Sequence, residues 1–275
     1  MPADVVPELV EAIEKGFNKR YKASKAIDKL VNRMAARRAT QANIHAYALE
    51  TGKCLRDTLT SVLGPSALPN GTLYYNIAER TIIPALERNH IRILDYANDV
   101  QTAIYGDQGM VLGVMRPSFA KDRAYGLIDK MGGLPAEDAA RWMREPVLNF
   151  CEKVVDDWVK TNADALYGAG FNPKIVRTLG PAAVRETQKG YPQIYFIPCE
   201  WCEGLAGEYD YKDVANSGND VYRRHEGCRC EITYITPHRA DNVNEHKRIE
   251  NIEDLAARLN YNIDLYRANE ETIKR

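Results

Sequence analysis

A chain of 275 residues with 37 Lys and Arg against 38 Asp and Glu carries almost no net charge, so no overall field draws it to nucleic acid or a membrane surface. Its 45% hydrophobic content suffices for a core, and the length admits one large domain or two of ordinary size. No run of about 18 apolar residues exists to span a membrane, and the N-terminus lacks the basic and apolar regions of a secretory signal. Synthesis in the cytoplasm is therefore expected, where thiols stay reduced and clustered cysteines read as metal ligands before disulfides.

Residues 1–170 read as helical, with turn or loop chemistry at 63–71 and 106–117 and a helix start at Leu134-Pro-Ala-Glu-Asp138. One long basic amphipathic helix is expected near the N-terminus. Phe17, Tyr21, Ile27, Val31 and Met34 share one face, and Lys15, Lys19, Lys22, Lys25, Lys29, Arg33 and Arg37 share the other. Positions 15–38 hold nine Lys or Arg against the single acid Asp28. Such a face is either a surface for phosphates or an acidic partner, or the solvated side of a core helix, although solvated faces usually mix signs. It lacks the interleaved aromatics that stack single-stranded bases. Helical segments 73–105 and 135–167 follow, with Trp142, Phe150 and Trp158 as core or interface anchors, and with Pro84 and Pro146 expected to kink or break them. His45 and His90 stand alone, and Cys54 and Cys151 read as small buried apolar residues.

The character changes over 171–236, where Pro and Gly punctuate short segments. Gln193-Ile-Tyr-Phe-Ile197 and Glu231-Ile-Thr-Tyr-Ile235 read as strands. From 237 to 275 the chain is polar and helical again. The expected fold is α+β and mainly α-helical: a helical N-terminal region (1–170), a small α+β module (171–236) and a helical tail (237–275).

The chemistry concentrates in that module. Cys199-Glu-Trp-Cys202 is followed, after 22 residues, by His225-Glu-Gly-Cys228-Arg-Cys230, so five of the eleven Cys and His fall within 32 positions. A Cys-x2-Cys on one tight turn can fill adjacent tetrahedral vertices of Zn2+, and His225 with Cys228 can fill the other two. Cys230 leads into a strand and shares a face with Cys228, making five candidates for four vertices. Metal-free packing and a Cys199–Cys230 disulfide stay open beside the metal. Catalysis is not expected. The zinc-deaminase order His-x-Glu ahead of Pro-Cys-x-x-Cys is absent, as are His-Glu-x-x-His, Gly-x-Ser-x-Gly and a phosphate-cradling glycine loop.

The order CxxC, acidic Gly-containing loop, His-x-x-Cys-Arg-Cys and strand resembles the C-terminal module of the phage Mu F-like minor head proteins, in the version carried by tailed phages and prophages of Gram-positive bacteria. The likeness is closest over 199–211 and 218–230 and covers about 170–236; Glu226 stands where many members have proline. The resemblance implies a minor capsid, or head-morphogenesis, protein inside the virion head near the portal vertex, assembled in the host cytoplasm. Its implied partners are the portal protein, the major capsid or scaffold protein and packaged double-stranded DNA, with no membrane. The alternatives are a metal-dependent nucleic-acid enzyme and a zinc-stabilised DNA-binding module. Arg223, Arg224 and Arg229 beside the cluster are expected to brace its loop or touch a partner, or to be plainly solvated.

Overall fold

A computed structural model describes residues 4–180, 200–216, 219–225 and 227–236. The expected strand at 193–197, the tail at 237–275, Cys199 and Glu226 lie outside the described residues. The fold is mainly helical with small antiparallel sheets, an α+β class as the composition zones suggest. Among the described residues no helix is long and apolar enough to cross a membrane.

The chain divides into two compact units. The first comprises Met1–Ala97, Ser118–Val155 and Arg224–Cys228; the second comprises Asn98–Pro117, Asp156–Arg223 and Arg229–Arg275.

In the first unit, α1 (Val6–Ala23) buries Val6, Leu9, Ile13 and Phe17, a stripe at helical spacing. It does not continue as one basic helix. Ser24 leaves helical geometry (φ −80°, ψ 105°), and its Oγ accepts from the Ile27 amide at 3.3 Å, so Ser24 caps a separate α2 (Lys25–Ala35). The 3.6-residue periodicity runs through the break, which hides the cap in the sequence.

The end of α2 is equally defined. The Arg37 amide donates to the Met34 carbonyl (2.9 Å) and the Arg38 amide to the Arg33 carbonyl (2.8 Å), the paired bonds of a Schellman closure. The residue that makes this turn, Arg37, has φ 55°, where glycine is usual and a side chain costs about 1 kcal/mol. Arg37→Gly is therefore expected to stabilise the fold by about 1 kcal/mol. Thermal unfolding checks this, and a lower melting temperature would refute it.

Both helices pack on α3 (Gln41–Val62), which starts with a capping box between Thr40 and Asn43 and buries Ile44, Tyr47, Leu55 and Leu59. Tyr47 stacks on Tyr96 with ring centres 4.1 Å apart, and Tyr96 Oη donates to the Leu30 carbonyl at 3.0 Å. The two-residue strands β1 (Thr72–Leu73) and β2 (Leu134–Pro135) pair antiparallel on either side of α4 (Tyr75–Asp107) and α5 (Lys121–Met131) in the chain.

Pro84 does not break α4, which runs through it uninterrupted; its neighbours Ile82, Ala85 and Leu86 are buried and hold the segment in place. Pro146 behaves differently. The helical stretch divides at Met143 into α6 (Ala136–Trp142) and α7 (Arg144–Gly168), leaving the proline in the first turn of α7, where its missing N–H has no helical partner to lose. Phe150 is buried and Trp142 half-buried. Cys151 is buried as expected, its sulfur accepting from Asn89 Nδ2 at 3.2 Å, and burial pushes its thiol pKa up to about 12. His45 and His90 are buried, and His90 meets Phe119 edge-on.

The second unit is organised by a strand the composition does not announce. β3 (Lys174–Thr178) is the centre of a three-stranded antiparallel sheet, with β4 (Gly207–Asp210) on one side and β5 (Glu231–Ile235) on the other. Val176 faces Glu208 across one edge and Thr233 across the other. Two short helices flank β4 in the chain: α8 (Glu200–Leu205) and α9 (Tyr211–Val214). Ile175, Ile232 and Tyr234 are buried, and the Tyr234 ring lies 5.7 Å from that of the fully buried Trp158. Trp158 keeps its indole N–H satisfied on Asn98 Oδ1 at 2.9 Å, so its burial carries no orphaned donor. Just past β3, the chain meets the backbone before β5 at Gly180. A Cβ there would lie 1.7 Å from the Arg229 carbonyl oxygen, so glycine is required by space.

Candidate metal centre

Cys202 and the segment that carries His225 and Cys228 have separate supports. Cys202 sits on α8, so the Cys-x2-Cys stretch enters a short helix rather than the tight turn its spacing suggests. Its sulfur accepts from Arg177 Nη2 at 3.7 Å. Arg177 is 1% exposed despite its charge. Its Nη1 donates to the Val221 carbonyl at 2.6 Å and to the Arg223 carbonyl at 2.8 Å, and its guanidinium lies 5.2 Å from the Trp201 ring centre. One planar fork thus ties Cys202 to the backbone that leads directly into His225.

The segment 224–228 is anchored on α7. Asn149 Nδ2 donates to the His225 carbonyl at 3.3 Å, and the Arg224 guanidinium meets the Glu152 carboxylate at 3.5 Å with both side chains only 4% exposed. Arg224 is therefore a bracing residue and not part of a solvated face. Arg223, in contrast, is exposed and pairs with Asp220 at 2.7 Å. The Cys228 amide donates back to the His225 carbonyl at 3.2 Å, closing a turn through Gly227, whose φ of 73° favours glycine.

The ligating atoms of Cys202, His225 and Cys228 lie within 4.8 Å of one another, with both sulfurs buried and the histidine half-buried. These residues, with the buried Cys230 two positions on, could hold a metal ion. The donor set fits a thiophilic ion. Atoms so spaced leave a point about 2.8 Å or less from all three, and bonds of about 2.3 Å to sulfur and 2.0 Å to nitrogen need only small inward shifts. Cys54, Cys151, Cys202, Cys228 and Cys230 are all free thiols.

The seven basic candidates are all exposed but do not form one stripe. Lys15, Lys19 and Lys22 belong to α1, where Lys15 pairs with Glu11 at 2.5 Å; Lys25, Lys29 and Arg33 belong to α2; Arg37 makes the closing turn. The supports Arg177, Asn149 and Glu152 were not legible as such. The usable signal for Arg177 was Ile-Val-Arg-Thr between Pro173 and Gly180, a β-type run with Ile175 and Arg177 on one face.

Comparison with protein-family models, curated proteins and solved structures returns no match to this chain.

Proposed function

We propose that this chain is a minor capsid, or head-morphogenesis, protein of a tailed phage, non-enzymatic, with a structural Zn2+ on Cys202, His225 and Cys228. The carrying observation is that the residues of the minor-head-like motif, separated by 22 positions in the sequence, approach to within 4.8 Å. The surroundings support a structural ion. The thiols are buried, and neighbouring donors fix Cys202 and the His225 backbone, as outer-shell groups do around structural metals. Cys199 and Cys230 are the two candidates for a fourth ligand. Portal protein, capsid or scaffold protein and packaged double-stranded DNA are the partners of this reading, and the capsid interior is its location.

Purified phage particles from a host that carries the gene test it. Mass spectrometry is expected to find the chain in DNA-filled heads, and cryo-EM is expected to place it at the portal vertex. A chain absent from both procapsids and mature heads would remove the virion assignment and leave a zinc-stabilised DNA-binding module or a metal-dependent enzyme.

A further inference from the structure

We propose that the exposed side of α2 is a phosphodiester-backbone site, a groove that seats one strand of duplex DNA without reading its sequence. Lys25, Lys29 and Arg33 recur every four residues, so they form a column with steps of about 6 Å and a total run of about 12 Å. The Schellman closure turns the chain back at Arg37, and Arg38 joins the same open groove of about 480 Å³, with Asn32 and Ala36 between the charges. Four cations face one carboxylate, Asp28. Among the described residues none of these four cations forms an ion pair, whereas Lys15 on α1 is occupied by Glu11.

The shape of the column selects the ligand. A single phosphate needs converging donors, but these charges lie along a line and suit a chain of phosphates. No aromatic ring lines the groove to stack a base, and no apolar pocket offers an anchor for a protein side chain. Sequence-independent contact to phosphates is what remains. The choice of duplex DNA as the polymer rests on the head-protein reading; the groove's preference for a polyphosphate does not.

The test uses the full-length protein and a fluorescein-labelled duplex of arbitrary sequence, read by anisotropy between 50 and 200 mM NaCl. Four phosphate contacts predict a log–log salt slope of about −3.6 and a loss of affinity of about 100-fold over that range. The variant K25Q/K29Q/R33Q/R38Q is expected to lose most of that slope while unfolding at the wild-type temperature, and the exposed charge control Arg141→Gln is expected to leave it unchanged. An unaltered slope in the quadruple variant, or no duplex binding by the wild type, overturns the proposal. So does competition by poly-glutamate as strong as by DNA, which would assign the groove to an acidic protein surface. Particle localisation judges the head-protein reading separately: a chain found at the portal with no salt-dependent DNA affinity sinks the groove alone.

Discussion

Replacing Arg177 with methionine is expected to destabilise the protein by about 2–6 kcal/mol, at about 1–3 kcal/mol for each buried carbonyl left without its donor. The change strands two backbone carbonyls, Val221 and Arg223, which the guanidinium satisfies at 2.6 and 2.8 Å, and removes the donor to Cys202. Arg177→Lys is expected to rescue little of the loss, since a single ammonium cannot span the same three acceptors in one plane. Denaturant unfolding measures the difference. A methionine variant that unfolds within about 0.5 kcal/mol of wild type would mean that the fork contributes no net stability. The same variant is expected to alter metal retention, because the fork joins Cys202 to the approach to His225.

Loss of the proposed metal is the second large effect expected. Structural zinc in small domains contributes about 10–16 kcal/mol of apparent binding free energy, and most of that appears as folding. Protein purified without chelator is therefore expected to carry about one zinc per chain. Cys202→Ser and Cys228→Ser are each expected to abolish stoichiometric metal and to lower the melting temperature by more than Cys151→Ser does. Elemental analysis and thermal unfolding read both quantities. Metal-free wild-type protein with a melting temperature indifferent to chelator would defeat the zinc assignment and favour packed thiols. Comparing Cys199→Ser with Cys230→Ser identifies the fourth vertex, since only a ligand's loss raises the rate at which a chelator extracts the metal.

What could be read ahead of the structure follows the range of the forces involved. β5 was legible because Glu231-Ile-Thr-Tyr-Ile235 alternates and is rich in β-branched and aromatic residues, a local signal. The mainly helical α+β class was legible for the same reason. β3 was not, since it is five residues long, holds two basic side chains and sits between Pro173 and Gly180. Its Arg177 can be buried only because its acceptors lie 44 and 46 residues away, which no local pattern encodes. The break at Ser24 shows the opposite failure. The basic and apolar periodicity was real on both sides, but periodicity describes a face and is blind to a cap that leaves the period in phase. Among the candidate ligands, residue type and spacing pointed to Cys199, Cys202, His225, Cys228 and Cys230 without choosing among them, whereas the grouping of Cys202, His225 and Cys228 and the supports on α7 became visible only in three dimensions.

The close approach at Gly180 divides the chain topologically. Gly180 and Arg229 meet backbone to backbone, and Cys202, His225 and Cys228 all fall between these two positions in the sequence. Closing a loop costs little more when the loop grows, about 0.6 kcal/mol per doubling, so added loop length is nearly free while a close neck such as this one is not. Residues added between the elements of this stretch therefore cost little in closure entropy. A single methyl group at position 180 is denied the same freedom.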